Sequence, residues 1–239
     1  MDNTAQNMDA NKNLNQTPAF QSILNRIKGI LIAPEQEWDK IKAENSSIID
    51  IYKNYLIYLA AIGPIVNWIK GSMIGVSLLG ITYRTGVVSG LVQAVLQYGM
   101  ALLMAYVAAL ILEKLAPKFG GSANITDTFR LVAYAATPGY LAAVFGFIPA
   151  LAVLVALLAF GYSIYLFFKG LPKFIQIPQG NLFVYILVSV IAIIIAGLII
   201  GLVVAAISPA GVDMGTLSTK GGEFNLDSLK DLQKMIPQP

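Results

Sequence analysis

"LVAYAATPGYLAAVFGFIP", residues 131–149, holds no charged side chain in nineteen positions, yet carries Thr137, Pro138 and Gly139 near its middle and Pro149 at its end. The apolar block around it, Phe129 to Phe168, is forty residues long. As one helix it would run about 60 Å, roughly twice a bilayer's hydrocarbon core. It must fold back. Pro149, preceded by Gly146, stands at the midpoint and favours a tight helical hairpin. Pro138 cannot donate to the carbonyl of Tyr134, and its ring pushes that carbonyl aside. In lipid a freed carbonyl needs a donor, for which the Thr137 hydroxyl, a neighbouring helix and water are the candidates. The kink therefore belongs inside a bundle, where Gly139 and the alanines admit close helix approach.

The rest of the chain has the same character. It is 56% hydrophobic and 12% charged, against roughly 25% charged in an ordinary soluble domain. The apolar residues are bunched into Leu56 to Ile69, Val87 to Leu112, Leu131 to Phe168 and Leu182 to Ile207, which argues for membrane spans. There is no cysteine and no histidine. That removes disulfides, thiol chemistry, imidazole bases and the common zinc and haem sites. A net charge of +3, scattered along the chain, lacks the dense basic stripe that nucleic acid requires.

Five spans follow. The last block contains eighteen Leu, Ile, Val and Phe residues, which favours insertion by about 5 to 11 kcal/mol. The first, near Tyr55 to Met73, includes Asn67 and Lys70 and must lean on its neighbours. With the amino terminus in the cytoplasm, eleven lysines and arginines fall inside and five outside. The positive-inside rule thus selects N-in, C-out, in a membrane of bacterial cytoplasmic type.

The flanks read as interfacial. "TPAFQSILNRIKGIL", residues 17–31, sets Phe20, Ile23, Leu24, Ile27 and Leu31 on one helical face, with Thr17 as N-cap, Pro18 at the first position, and Arg26 and Lys28 on the polar side. Such a helix lies on an anionic leaflet, faces a partner, or docks on the bundle. In "APEQEWDKIKAE", residues 33–44, Pro34 opens a second helix and Trp38 offers an interfacial anchor. The expected organisation is an all-α membrane protein: a disordered polar tail over 1–17, amphipathic helices over 18–46, a five-helix transmembrane bundle over 47–207, and an extracytoplasmic tail over 208–239. That tail carries a short helix around Leu226, Leu229, Met235 and Ile236.

"APEQEWDKI" (33–41), "AYAATP" (133–138) and "YSIYLFFKGLPK" (162–173), in this order and spacing, resemble the bacterial branch of the Yip family, named for Ypt/Rab-interacting proteins. The resemblance covers about residues 20 to 207. It implies a non-enzymatic integral membrane protein; eukaryotic members bind Rab-type GTPases and shape or traffic ER and Golgi membranes. Their Asp-Leu-Tyr-Gly-Pro motif meets only "DIYKN", Asp50 to Asn54, in this chain. Rab binding therefore does not carry over, whereas the fold and a membrane-organising or adaptor role do.

No catalytic, cofactor-binding or metal-ligating residue is expected. The carboxylates lie in tails or at span ends, whereas a proton-coupled carrier needs an ionisable group in mid-membrane. Gln93 and Gln97 share a helix face, either as interhelical hydrogen-bonding groups or, with Tyr134 and Thr137, as the polar path of a facilitative channel or transporter component. Gly170 and Pro172 are expected to end the fourth span. Gly197, Gly201 and Ala205 form a small-residue stripe for packing within the bundle or between protomers. The expected partners are membrane lipids, a cytoplasmic protein and a second copy of the chain. The leading expectation is a scaffold or adaptor presenting Phe20, Ile23, Arg26, Ile27, Lys28 and Trp38 to lipid or protein.

Overall fold

Two short helices open the computed structural model, which describes residues 19–78, 81–207, 216–219 and 222–225. They are α1 (Ala19–Ile32) and α2 (Pro34–Ala43). Then comes α3 (Ile48–Ile74), α-helical with wider π turns at Tyr52–Leu56 and Lys70–Ile74. Its start is fixed by a capping box: the Ser47 hydroxyl accepts from the Asp50 amide and the Asp50 carboxylate accepts from the Ser47 amide. Next are α4 (Val87–Leu115), prolonged by a 3-10 turn over Ala116–Phe119, and α5 (Ile125–Ala135), capped by Asn124. The chain continues through α6 (Thr137–Ala142), a 3-10 turn (Ala143–Phe147), α7 (Pro149–Phe174) and α8 (Gln179–Ile207).

Among the described residues four helices are long and apolar enough to cross a membrane: Ile48–Ile74, Val87–Phe119, Leu151–Phe174 and Gln179–Ala206. Four of the five expected spans are thus long continuous helices. The segment expected as the third is divided into α5, α6 and a 3-10 turn, because Pro138 interrupts the hydrogen-bond ladder and Ala136 becomes a turn between two helices. It nevertheless runs beside α3 in the same direction. The Arg130 guanidinium donates to the Ser46 carbonyl, and the Tyr55 and Thr137 hydroxyls lie 2.7 Å apart. Further along, a methyl placed on Gly146 would come within 3.0 Å of Val66 Cγ1. The chain then turns back at Ile148, which is extended, and Pro149 starts α7.

The expected stop at Gly170 and Pro172 also needs correction, since α7 passes both and ends at Phe174. A proline two residues from a helix end forfeits one hydrogen bond, which the flanking packing tolerates. Gly139 has no atom within 4 Å of a built Cβ, so the close approach expected there is absent.

Four short strands make one antiparallel sheet: β1 (Val76–Leu78), β2 (Ile81–Tyr83), β3 (Thr216–Thr219) and β4 (Gly222–Asn225). β2 joins β3 with Tyr83 opposite Leu217, which brings the chain beyond α8 to the loop after α3. The 1–17 tail, the Thr17 and Pro18 start signals and the helix expected around Leu226 to Ile236 lie outside the described residues. The buried core gathers at the end of the bundle where the chain begins, around Ile30, Trp38, Leu56, Leu112, Phe129, Leu131, Leu171 and Tyr185. The far halves of α7 and α8 leave Leu157, Leu158, Leu198 and Leu202 exposed, as lipid-facing surfaces do.

Candidate functional site

The apolar residues of α1 divide between two faces. Ile23 and Ile30 are buried and Ile27 and Leu31 pack against the core, whereas Phe20 is 70% exposed, Ile32 is 72% exposed, and Leu24 and Lys28 also lie outside. The docked set and the outward set adjoin, so a single broad apolar stripe in sequence serves two surfaces. Tyr162 on α7 fastens the end of α1 by donating to the Leu31 carbonyl at 2.6 Å.

Trp38 departs from its expected interfacial position: it is fully buried. Its ring meets Phe174 edge-on at 5.6 Å and lies over Gly170, where an added Cβ would come within 2.7 Å of Trp38 Cε2. Gly170 is thus a contact point between α2 and α7. Two ion pairs hold the same interface, Lys169 to Glu35 at 2.6 Å and Lys173 to Asp39. Lys169 holds the exposed Glu35 carboxyl below its ordinary range, by its hydrogen bond first and its charge second.

Arg26, expected on the polar face, points inward. It donates to Glu37 at 2.6 Å and to Glu44, and its guanidinium stands over the Tyr134 ring, 5.5 Å from the centroid. Burial alone would lower its pKa, but its hydrogen bond to Glu44, together with Tyr134 and the charges of Glu44 and Glu37, outweighs that and raises it. Glu37 also takes a bond from Lys40 at 3.2 Å.

Beneath this ion cluster lies the hydroxyl chain that the proline makes necessary. The Thr137 hydroxyl donates to the Tyr134 carbonyl at 2.7 Å, the carbonyl left free by Pro138. Its proton being committed there, the Tyr55 hydroxyl is the donor in the 2.7 Å contact with Thr137 Oγ1. All three residues are buried. Beside them Arg130 clamps the α2–α3 linker through the Ser46 carbonyl and pairs with Asp127 at 3.2 Å.

A cavity of about 160 Å³ opens between α1, this linker and the first turns of α3. Arg26, Glu44, Asp50, Asn54, Tyr55 and Tyr134 are among its walls.

The remaining candidate residues sit toward the other end. Gln97 accepts from Asn67 at 3.2 Å, an interhelical bond between α4 and α3. Gln93 and Gln97 line a cleft of about 390 Å³ with Met100, Met104, Gly197, Gly201 and Ala205. The small stripe of α8 faces α4 across that cleft, with no atom within 4 Å of a Cβ built on Gly201. The Gln pair and Tyr134 therefore line different cavities, and Thr137 is fully buried. Sequence reasoning missed Tyr55, Glu37, Glu44 and Arg130 as members of the inner cluster. The one local signal was the threonine directly before an intramembrane proline, which calls for a second polar partner on another helix. Among the described residues no group of three or more Asp or Glu is placed to hold a metal ion.

The family model of the Yip1 domain matches residues 28–201. Inner membrane protein YohC of Escherichia coli strain K12 is 27% identical over 157 residues, which cover 64% of this chain and 80% of that protein. The protein of the same name from Escherichia coli O6:H1 gives the same values. No solved structure matches.

Proposed function

The chain belongs to the Yip1 domain family, and from that membership we propose that it is a non-enzymatic multi-pass scaffold of the bacterial inner membrane, N-in and C-out. In this reading the broken α5–α6 segment makes a fifth crossing beside α3. Its course from Ser46 to Val66 alongside that helix supports the assignment, and YohC is by name an inner membrane protein. The observation that carries the scaffold role is the divided face of α1. Ile23 and Ile30 hold the helix on the bundle, which leaves Phe20, Leu24 and Ile32, with Lys28 among them, as a preformed apolar and basic surface. That surface suits the headgroup layer of an anionic leaflet or the apolar face of a cytoplasmic protein.

Photo-crosslinking in cells from residue 28 tests this, with the cysteine-free chain allowing single-site labelling. Phe20→Ser, Leu24→Ser and Ile32→Ser together should remove the lipid and protein adducts while α1 stays docked. Adducts unchanged by the triple substitution would sink the scaffold reading. The channel alternative keeps one observation, the cleft at Gln93 and Gln97. Gln93→Leu with Gln97→Leu should abolish flux in proteoliposomes if that cleft conducts.

A further inference from the structure

We infer that the cavity between α1, the α2–α3 linker and the start of α3 binds a primary ammonium group, of the kind an aminophospholipid headgroup carries. Its volume of about 160 Å³ has room for a small polar group.

An unused hydroxyl marks the site. Tyr134 is 5% exposed and lines the cavity, yet its hydroxyl has no hydrogen-bond partner among the described residues. The neighbouring Tyr55 hydroxyl is spent on Thr137. A hydroxyl that bonds no described residue and belongs to a buried side chain on the wall of a polar cavity is where a ligand atom fits.

The walls set the sign. Glu44 and Asp50 are carboxylates, and the two terminal guanidinium nitrogens of Arg26 are already engaged by Glu37 and Glu44. An anion would meet two carboxylates and no uncommitted cation. The Asp50 carboxylate uses one oxygen on Ser47 and leaves the other open. Glu44, Asp50, the Asn54 side-chain carbonyl and the Tyr134 hydroxyl supply acceptors for the three protons of an ammonium.

A quaternary head such as choline has no N–H to offer them. The aromatic face it would need is the one Arg26 already covers on Tyr134.

The surroundings suit a lipid. Lys53, one turn beyond Asp50 on α3, is exposed and forms no salt bridge among the described residues, so it can meet the phosphate of the same headgroup. Ile57 and Tyr58, further along α3, are exposed for the acyl chains. The site goes beyond the scaffold reading and does not depend on the outward face of α1.

The test uses the full-length chain in nanodiscs of phosphatidylethanolamine with phosphatidylglycerol, against discs in which phosphatidylcholine replaces the phosphatidylethanolamine. Native mass spectrometry after mild delipidation should find one phosphatidylethanolamine retained in preference to the other lipids. Tyr134→Phe should weaken that retention about tenfold, the worth of a hydrogen bond to a charged group. Because the hydroxyl bonds nothing among the described residues, this variant should unfold at the parental temperature in the phosphatidylcholine discs. Asp50→Asn should weaken retention as well.

Phosphoethanolamine added to the phosphatidylcholine discs separates the sources. A raised unfolding temperature that Tyr134→Phe abolishes means a soluble amine suffices; no rise alongside selective lipid retention means the acyl chains are required. Equal retention of both lipids with no effect of phosphoethanolamine, or full phosphatidylethanolamine retention by Tyr134→Phe, overturns the inference. Every variant keeps Phe20, Leu24 and Ile32, so a failure here is distinct from a failure of the scaffold.

Discussion

Gly170→Ala is the sharpest perturbation of the docked helices. In a helix interior alanine is favoured over glycine by about 1 kcal/mol, so propensity alone predicts stabilisation. The new Cβ, however, would stand 2.7 Å from Leu131 Cδ1, 2.7 Å from Trp38 Cε2 and 2.9 Å from Trp38 Cζ2. Carbon pairs rest at about 3.5–4.0 Å, so each neighbour must retreat by nearly an ångström. Neither has room, since Leu131 and Trp38 are both fully buried. Overpacking of this kind costs about 1–3 kcal/mol, leaving a net destabilisation of up to about 2 kcal/mol. Equilibrium unfolding in detergent measures the sum, and hydrogen exchange should localise it to α2. Gly161→Ala on the same helix is the control: nothing lies within 4 Å of its built Cβ, so it should be neutral or stabilising. Combining Gly170→Ala with Trp38→Phe should cost less than the two singles added, because the smaller ring yields the space. If Gly170→Ala proves as stabilising as Gly161→Ala, the contact between α2 and α7 described above is wrong.

Three further outcomes follow from the polar cluster. Thr137→Val should cost about 1–3 kcal/mol in thermal unfolding by stranding the Tyr134 carbonyl and the Tyr55 hydroxyl, whereas Thr137→Ser should stay near the parent. Arg26→Met should release α1 to hydrogen exchange at a cost of about 2–3 kcal/mol. It leaves Glu37 nearly buried beside Lys40 alone, and the half-exposed Glu44 adds little; adding Glu37→Gln should recover part of the loss. Because Lys169 depresses the Glu35 pKa in the folded state, the stability from that pair is whole above the unfolded value near 4.5 and fades as pH falls through the lower folded value. Limited proteolysis of α2 should accelerate in that acid window, and Glu35→Gln should flatten the response.

Apolar runs and the two prolines disclosed much of this architecture, because length and hydropathy are local properties. Thr137, Pro138 and Tyr134 form the clearest case: a missing donor at one position and a hydroxyl beside it are both visible in six letters. What stayed hidden was pairing across long separations. Trp38 looked interfacial because it stands among charged residues, and nothing local announces that Gly170, far along the chain, makes room for its ring. Arg26 looked solvated for the same reason, its partners being Glu37, Glu44 and a tyrosine face from another helix. The stripe of α1 was legible as apolar but not as divided, since a docked isoleucine and an outward-facing one read alike. Hydropathy is also blind to continuity: the segment through Pro138 is apolar enough, but its helix is cut.

The manner in which α8 is held has a consequence for substitutions along it. It is the least buried of the four long helices, yet it is pinned at both ends. At one end, Ser122 and Gln176 exchange backbone hydrogen bonds, Asn181 donates to the Phe119 carbonyl and Tyr185 to that of Leu112. At the other, the strand beyond it is laced to the loop after α3. Between these ties the first half of α8 packs on the core through Tyr185, Ile186, Val190 and Ile193, and only its last turns, with Gly197, Gly201 and Ala205, border the open cleft against α4. A side chain added at Gly201 would therefore enter empty space, since nothing lies within 4 Å of a Cβ there.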